Sequence, residues 1–154
     1  MPKEEFRVQK IREGTVIDHI SAGVALAVLR ILGITDREDY IVSILMNVPS
    51  KAFRRKDIVK IESREISPRE TDKIALVAPK ATINIISDYK VVKKAKVKLV
   101  DEIKEILKCP NPSCITNTRE PMKTSFHVER KDQTLIRCYY CGTTLEEEDV
   151  IKQF

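Results

Sequence analysis

Cys109-Pro110-Asn111-Pro112-Ser113-Cys114 and, after 23 intervening residues, Cys138-Tyr139-Tyr140-Cys141 hold all four cysteines of this 154-residue chain. Two short-looped pairs joined by a β excursion bring four sulfurs to the corners of a tetrahedron. Zn²⁺ accepts that arrangement at about 2.3 Å per sulfur. Residues 98–154 fall below the ~70–80 residues at which an apolar core comfortably stabilises a fold alone, so a metal is the expected staple. Nothing before Cys109 contains cysteine. The chain therefore divides into 1–97 and a small β-rich zinc module, 98–154.

The second pair, followed by Gly142, reads as a zinc knuckle, whereas the first has an unusually wide four-residue spacer. Lys108, Lys123 and Arg137 are candidates to offset the charge of four thiolates. Disulfides are disfavoured in a chain that starts without a signal peptide and has no apolar run approaching the ~20 residues of a membrane span. A cytoplasmic location is expected. Catalytic zinc needs an open coordination position and an activated water, and four thiolates leave none, with only His127 nearby as an acid–base group. The site reads as one structural Zn²⁺.

Charge is shared unevenly. Residues 1–97 carry 19 Lys and Arg against 13 Asp and Glu, and residues 98–154 carry 9 against 10. A nucleotide or other polyanion would prefer the first part.

That first part alternates strands and helices. Residues 6–20 read as extended pieces around a Glu13-Gly14 turn, and residues 22–32 as an apolar helix capped by Ser21 and stopped by Gly33. A polar loop at 36–39 precedes residues 40–48, apolar enough for a central strand. Residues 56–62 give a further strand. Ser67-Pro68-Arg69-Glu70 is a capping box with proline in the first turn, and Pro79 forbids continuation. In residues 82–87, Asn84 and Ile86 share one face. Residues 89–100 alternate so that Lys90, Lys94, Lys96 and Lys98 share another. The expected fold is α+β: an antiparallel sheet with two helices on one face (ferredoxin-like), followed by a small all-β zinc-binding domain.

No glycine-rich phosphate loop, nucleophile with a base, or carboxylate cluster for Mg²⁺ is present. The lysines taken alone suit a solvated face, and His19 a structural or exposed position. Together they also suit binding: lysines for a triphosphate, with Asp, His, Asn and backbone groups for a base and sugar.

Val16-Ile17-Asp18-His19-Ile20, Asn47-Val48-Pro49-Ser50, Arg55-Lys56-Asp57 through Glu62, Ala78 to Asn84, Tyr89 to Lys94 and the cysteine pattern resemble the aspartate carbamoyltransferase regulatory chain. The resemblance spans nearly the whole sequence. It implies an allosteric domain that binds CTP as inhibitor and ATP as activator, and a zinc domain that docks on a separate catalytic chain. It also implies pairing of regulatory chains through their allosteric domains. By the same resemblance, Ile11, Val16, Asp18, His19, Lys60, Asn84, Tyr89, Val91 and Lys94 match the nucleotide site. Asp18, Ile11 and Tyr89 suit the base, Lys60 and Asn84 the base and ribose, and Lys94 and His19 the phosphates. Lys56 is a candidate for a second nucleotide or the triphosphate end. Gln9 and Lys10 depart from the family's commoner acidic-small pair, and Pro112-Ser113 and Gly142-Thr143 from its polar docking residues.

Two rivals come from other classes. A nucleic-acid-binding zinc ribbon predicts basic and aromatic residues on the zinc module, which instead is slightly acidic. An enzyme acting on nucleotides lacks catalytic groups. The expected partners are thus a catalytic chain, a second copy of this chain and nucleotides, with no nucleic acid and no membrane.

Overall fold

The computed structural model describes residues 10–34 and 39–154. Residues 6–9 of the first extended piece, Gln9 among them, and 36–38 of the polar loop lie outside the described residues.

A five-stranded antiparallel sheet is built from β1 (Gly14–Ser21), β2 (Val42–Pro49), β3 (Arg55–Glu62), β4 (Thr82–Ser87) and β5 (Lys90–Lys96), in the order β2-β3-β1-β4-β5. Helices α1 (Ala25–Ile31) and α2 (Pro68–Val77) cover one face. The first four strands have ferredoxin-like order, and β5 adds a fifth. Ile17, Val59, Ile61 and Ile83 turn inward against Val28, Ile74 and Val77, each large aliphatic worth about 1.5–3 kcal/mol when fully buried.

Gly14 opens β1 because nothing larger fits: its φ is +141°, and a Cβ there would sit 2.1 Å from the Ile61 carbonyl oxygen.

Helix α2 follows the sequence reading. The Ser67 hydroxyl accepts from Glu70 N–H at 3.2 Å, and Glu70 accepts from Ser67 N–H at 2.9 Å. The two bonds close the capping box. Helix α1 differs. Ser21 stays in β1, and the helix starts only at Ala25 without a side-chain cap of its own. Its orphan donors go instead to Asp57 of β3, a fully buried carboxylate. Asp57 Oδ2 accepts from Gly23 and Ala25 N–H at 2.9 and 3.0 Å, and Oδ1 from Asn47 N–H at 2.9 Å. Gly33 ends the helix as expected, with φ +65° and the paired Gly33→Arg30 and Ile34→Leu29 bonds of a Schellman cap.

Strand β2 is an edge strand, not a central one. Its apolar side chains are not all enclosed: Ile44 and Met46 are exposed, as are Tyr40 and Ile41 just before it. A second correction concerns the lysine row. The β4–β5 register shifts, pairing Ile86 with Val91 but Ile85 with Lys93. This bulge at Val92 leaves Val91, Lys94 and Lys96 on the Asn84 face and sends Lys90 to the other.

The second sheet, β6 (Glu102–Lys104), β7 (Ser125–Arg130), β8 (Leu135–Cys138) and β9 (Thr144–Glu146), is antiparallel in that order. A single 3₁₀ turn at Ile115–Asn117 and a short helix α3 (Glu147–Ile151), which the sequence reading did not mark, complete it. Phe126, Ile136, Leu145 and Val150 join the apolar core continuously with that of the first sheet. Arg30 of α1 donates to the Phe154 carbonyl at 2.9 Å, and Arg69 of α2 to the Glu105 carbonyl at 3.1 Å.

Candidate metal centre and ligand pocket

The four thiols converge. Cys109 and Cys114 come from the loop after β6, Cys138 ends β8, and Cys141 lies in the turn before β9. Their sulfurs all lie within 4.8 Å of one another, with Cys109–Cys141 at 3.5 Å and Cys114–Cys138 at 3.8 Å. A tetrahedron with ~2.3 Å metal–sulfur bonds has edges of about 3.8 Å, so the cluster fits a four-thiolate metal ion. It does not fit disulfides, whose sulfurs sit about 2.05 Å apart.

The surroundings divide the thiols. Burial pushes Cys109 up to about 12 and raises Cys138 as well. The Thr143 hydroxyl, 3.1 Å from the Cys141 sulfur, and the Thr143 main-chain N–H draw Cys141 down to about 6. The Thr116 hydroxyl donates to Cys114 sulfur at 3.2 Å and lowers that thiol, again with a main-chain N–H. Gly142, at φ +77°, makes the turn that places the Thr143 donors. Asn117 holds the first loop by donating to the Cys109 and Asn111 carbonyls at 2.9 and 2.7 Å.

Two expected charge partners are otherwise engaged. Arg137 pairs with Glu129 across β7–β8 and donates to the Gly142 carbonyl, and Lys123 pairs with Glu105 at 3.3 Å. Lys108 lies beside Cys109, at the edge of a surface cavity.

On the first sheet, the face away from the helices carries a cavity of about 330 Å³. Seven of the ten residues singled out for nucleotide binding line it: Ile11, Val16, Asp18, Lys60, Asn84, Tyr89 and Val91. Strand pairing explains this, since Val16 lies between Lys60 and Asn84 in register. Tyr89 joins from the β4–β5 turn, where Asp88 and Tyr89 both have positive φ. Lys10, Ile58 and Ile86 also line the cavity. Ile58 and Ile86 stand two residues from Lys60 and Asn84, so the period of a strand was the signal for them.

The other three sit beside it. Lys56 pairs at 2.9 Å with Asp18, the only carboxylate among the described residues that line the cavity. A bulge in β1 between Ile17 and Ile20 gives His19 a φ of +56° and turns it out of the ladder. His19 and Lys94 line a second, adjoining cavity of about 380 Å³.

A ferredoxin-like sheet with an open, cavity-bearing face, joined to a module whose four cysteines can hold a metal, defines a small two-part protein. Family comparison gives it a place. The aspartate carbamoyltransferase regulatory chain allosteric-domain model matches residues 6–98, and the metal-binding-domain model of the same chain matches 101–151. The protein belongs to the aspartate carbamoyltransferase regulatory chain family. The aspartate carbamoyltransferase regulatory chain of Hyperthermus butylicus is 59% identical over 147 residues, covering 95% of this chain and 92% of its own. Its counterpart from Methanothermobacter thermautotrophicus is 52% identical over 150 residues, covering 97% and 96%. That of Korarchaeum cryptofilum is 52% identical over 152 residues.

Proposed function

We propose that this chain is the non-catalytic regulatory subunit of an aspartate carbamoyltransferase in pyrimidine biosynthesis, working in the cytoplasm with catalytic residues carried on another chain. Residues 1–97 bind CTP as feedback inhibitor and ATP as activator. Residues 98–154 hold one structural Zn²⁺ and dock on the catalytic chain. The observation that carries this reading is the cavity on the open face of the first sheet, where Asp18, Lys60, Asn84 and Tyr89 converge from three strands and a turn. Asp18 and main-chain groups suit the exocyclic amine that cytosine and adenine share, and Lys60 and Asn84 suit base and ribose. His19 and Lys94 lie next door, where phosphates would extend.

Two surfaces support the partners. Ile115, Met122, Tyr139 and Tyr140 are exposed on the thiol-bearing loops and their flanks, a patch suited to the catalytic chain. The unpaired, apolar β2 edge suits a second copy of this chain by strand addition. The lysine-rich strand β5 belongs to the first sheet and not to the thiol module, which favours this reading over a nucleic-acid-binding zinc ribbon.

A nucleotide alters activity only through its different affinity for two states of the assembly, and couplings of about 1–3 kcal/mol change that preference roughly 5- to 150-fold. The test is calorimetric titration of CTP and ATP into the zinc-loaded chain, alone and assembled with catalytic subunit, alongside aspartate saturation curves. Binding by the isolated chain and a nucleotide-dependent shift of the aspartate curve are expected. Strong chelation should abolish the shift and spare binding. A chain that binds neither nucleotide, or that assembles normally without metal, refutes the assignment.

A further inference from the structure

The thiol module carries a cavity of about 250 Å³ away from its cysteines. Strand pairing brings two segments together there. Arg130, Gln133, Thr134 and Leu135 come from the β7–β8 turn and its flanks, and Glu146, Glu147 and Glu148 from the junction of β9 and α3. Leu135 pairs with Glu146 in register. Leu135 begins β8 and Cys138 ends it, which sets the cavity roughly 10 Å of strand from the thiols.

The helix accounts for part of this acidity. Carboxylates in a first turn suit the helix dipole, and the α3 capping box occupies two of them. Glu146 accepts from the Asp149 N–H, and Asp149 Oδ2 from the Glu146 N–H at 2.9 Å. Glu147 and Glu148 are left over. Among the described residues no ion pair includes either, although Glu147 is half-buried. Arg130, the one cation among the described lining residues, stands beside Glu129 of its own strand.

Thr134 has no place in that account. It is 4% exposed and lines the same cavity. Its Oγ1 is the one buried side-chain polar atom among the described residues without a hydrogen-bond partner. Buried hydroxyls are ordinarily satisfied, so an orphan beside two unpaired carboxylates points to a ligand. The chemistry of that ligand follows from the donors, which are all oxygen: carboxylates, a hydroxyl and the Gln133 amide carbonyl. Neither thiol nor imidazole is among the described lining residues, and an oxygen set favours a hard cation over zinc. The volume exceeds a bare ion and leaves room for several waters, at about 30 Å³ each.

We propose that Glu147, Glu148 and Thr134 form a site for a hard divalent cation of the Mg²⁺ or Ca²⁺ class, bound with part of its water shell. The ion ties the β7–β8 turn to α3, which in turn lies against α2 of the first domain. The site is separate from the four thiols and does not depend on the nucleotide reading.

The experiment is titration of Mn²⁺, a hard cation visible by electron paramagnetic resonance, into the full, zinc-saturated chain without nucleotide. Wild type is compared with the double variant Glu147→Gln/Glu148→Gln, with Thr134→Val and with Glu120→Gln. One site per chain with a Kd of about 0.1–1 mM is expected for so few charged ligands. The double variant should weaken binding at least about tenfold, and Thr134→Val about two- to fivefold. Glu120→Gln, at an exposed carboxylate outside the cavity, should match wild type. Thr134→Val keeps the side-chain shape and removes an unpaired buried hydroxyl, so its Tm without Mn²⁺ should not fall. Its weaker binding then reads as a lost ligand and not as a lost fold. No binding below about 10 mM, an affinity unchanged in the double variant or in Thr134→Val, or an equal loss in Glu120→Gln overturns the inference.

Discussion

Asp57→Asn should unfold the N-terminal sheet far more readily than a near-isosteric change suggests. The carboxylate is fully buried and accepts three main-chain N–H bonds, two on Oδ2 from the start of α1 and one on Oδ1 from Asn47. An amide has one oxygen for donors on two sides. However it turns, its NH₂ faces at least one N–H. Keeping the oxygen toward Gly23 and Ala25 strands Asn47 N–H, at about 1–3 kcal/mol for an unpaired buried donor. The two surviving bonds lose a charged acceptor, about 1 kcal/mol each. The sum, about 3–5 kcal/mol, is a large share of the 5–15 kcal/mol that holds a typical domain. At roughly 2–4 °C per kcal/mol for a chain of this length, Tm should fall by about 6–20 °C. The assay is thermal melting followed by far-UV circular dichroism on zinc-saturated protein. Ser67→Ala, which removes only the α2 cap at about 1 kcal/mol, sets the scale. A drop for Asp57→Asn no larger than that for Ser67→Ala would refute this account of α1.

Two further outcomes are expected. In metal-stripped chain, iodoacetamide should reach Cys141 first, at a rate that climbs with pH through about 6, because the thiolate forms above that value, while Cys109 at about 12 stays slow. Peptide mapping by mass spectrometry reads this, and equal rates at all four thiols would contradict it. Ile44→Lys, which places a charge on the exposed β2 edge, should weaken self-association of the isolated chain at least about tenfold in sedimentation equilibrium. An unchanged association constant would move the pairing surface elsewhere.

Local signals read cleanly from the sequence. The Ser67–Glu70 box, the Gly33 stop and the period of β4 depend on residues a few positions apart, and each stands as expected. The thiol spacing likewise brought four sulfurs together. What escaped was non-local. Asp57 caps a helix that begins 32 residues earlier in the chain, and nothing near Ser21 announces it. Bulges at His19 and Val92 shift the period of two strands, which moved Lys90 off its expected face. The apolar run before Pro49 suggested enclosure on both sides within one chain, yet β2 lies at an edge. Sequence pattern records that a surface is apolar, not whether its own chain covers it.

The two margins of the first sheet are unlike. One, β2, exposes Ile44 and Met46; the other, β5, exposes every residue and carries Lys90, Lys93, Lys94 and Lys96. A sheet with two adhesive margins can add copies without end, and fibres grow that way. Two β2 margins that met would leave only lysine margins outward, which repel one another. Growth through this sheet would therefore stop at two copies and yield a closed, countable unit.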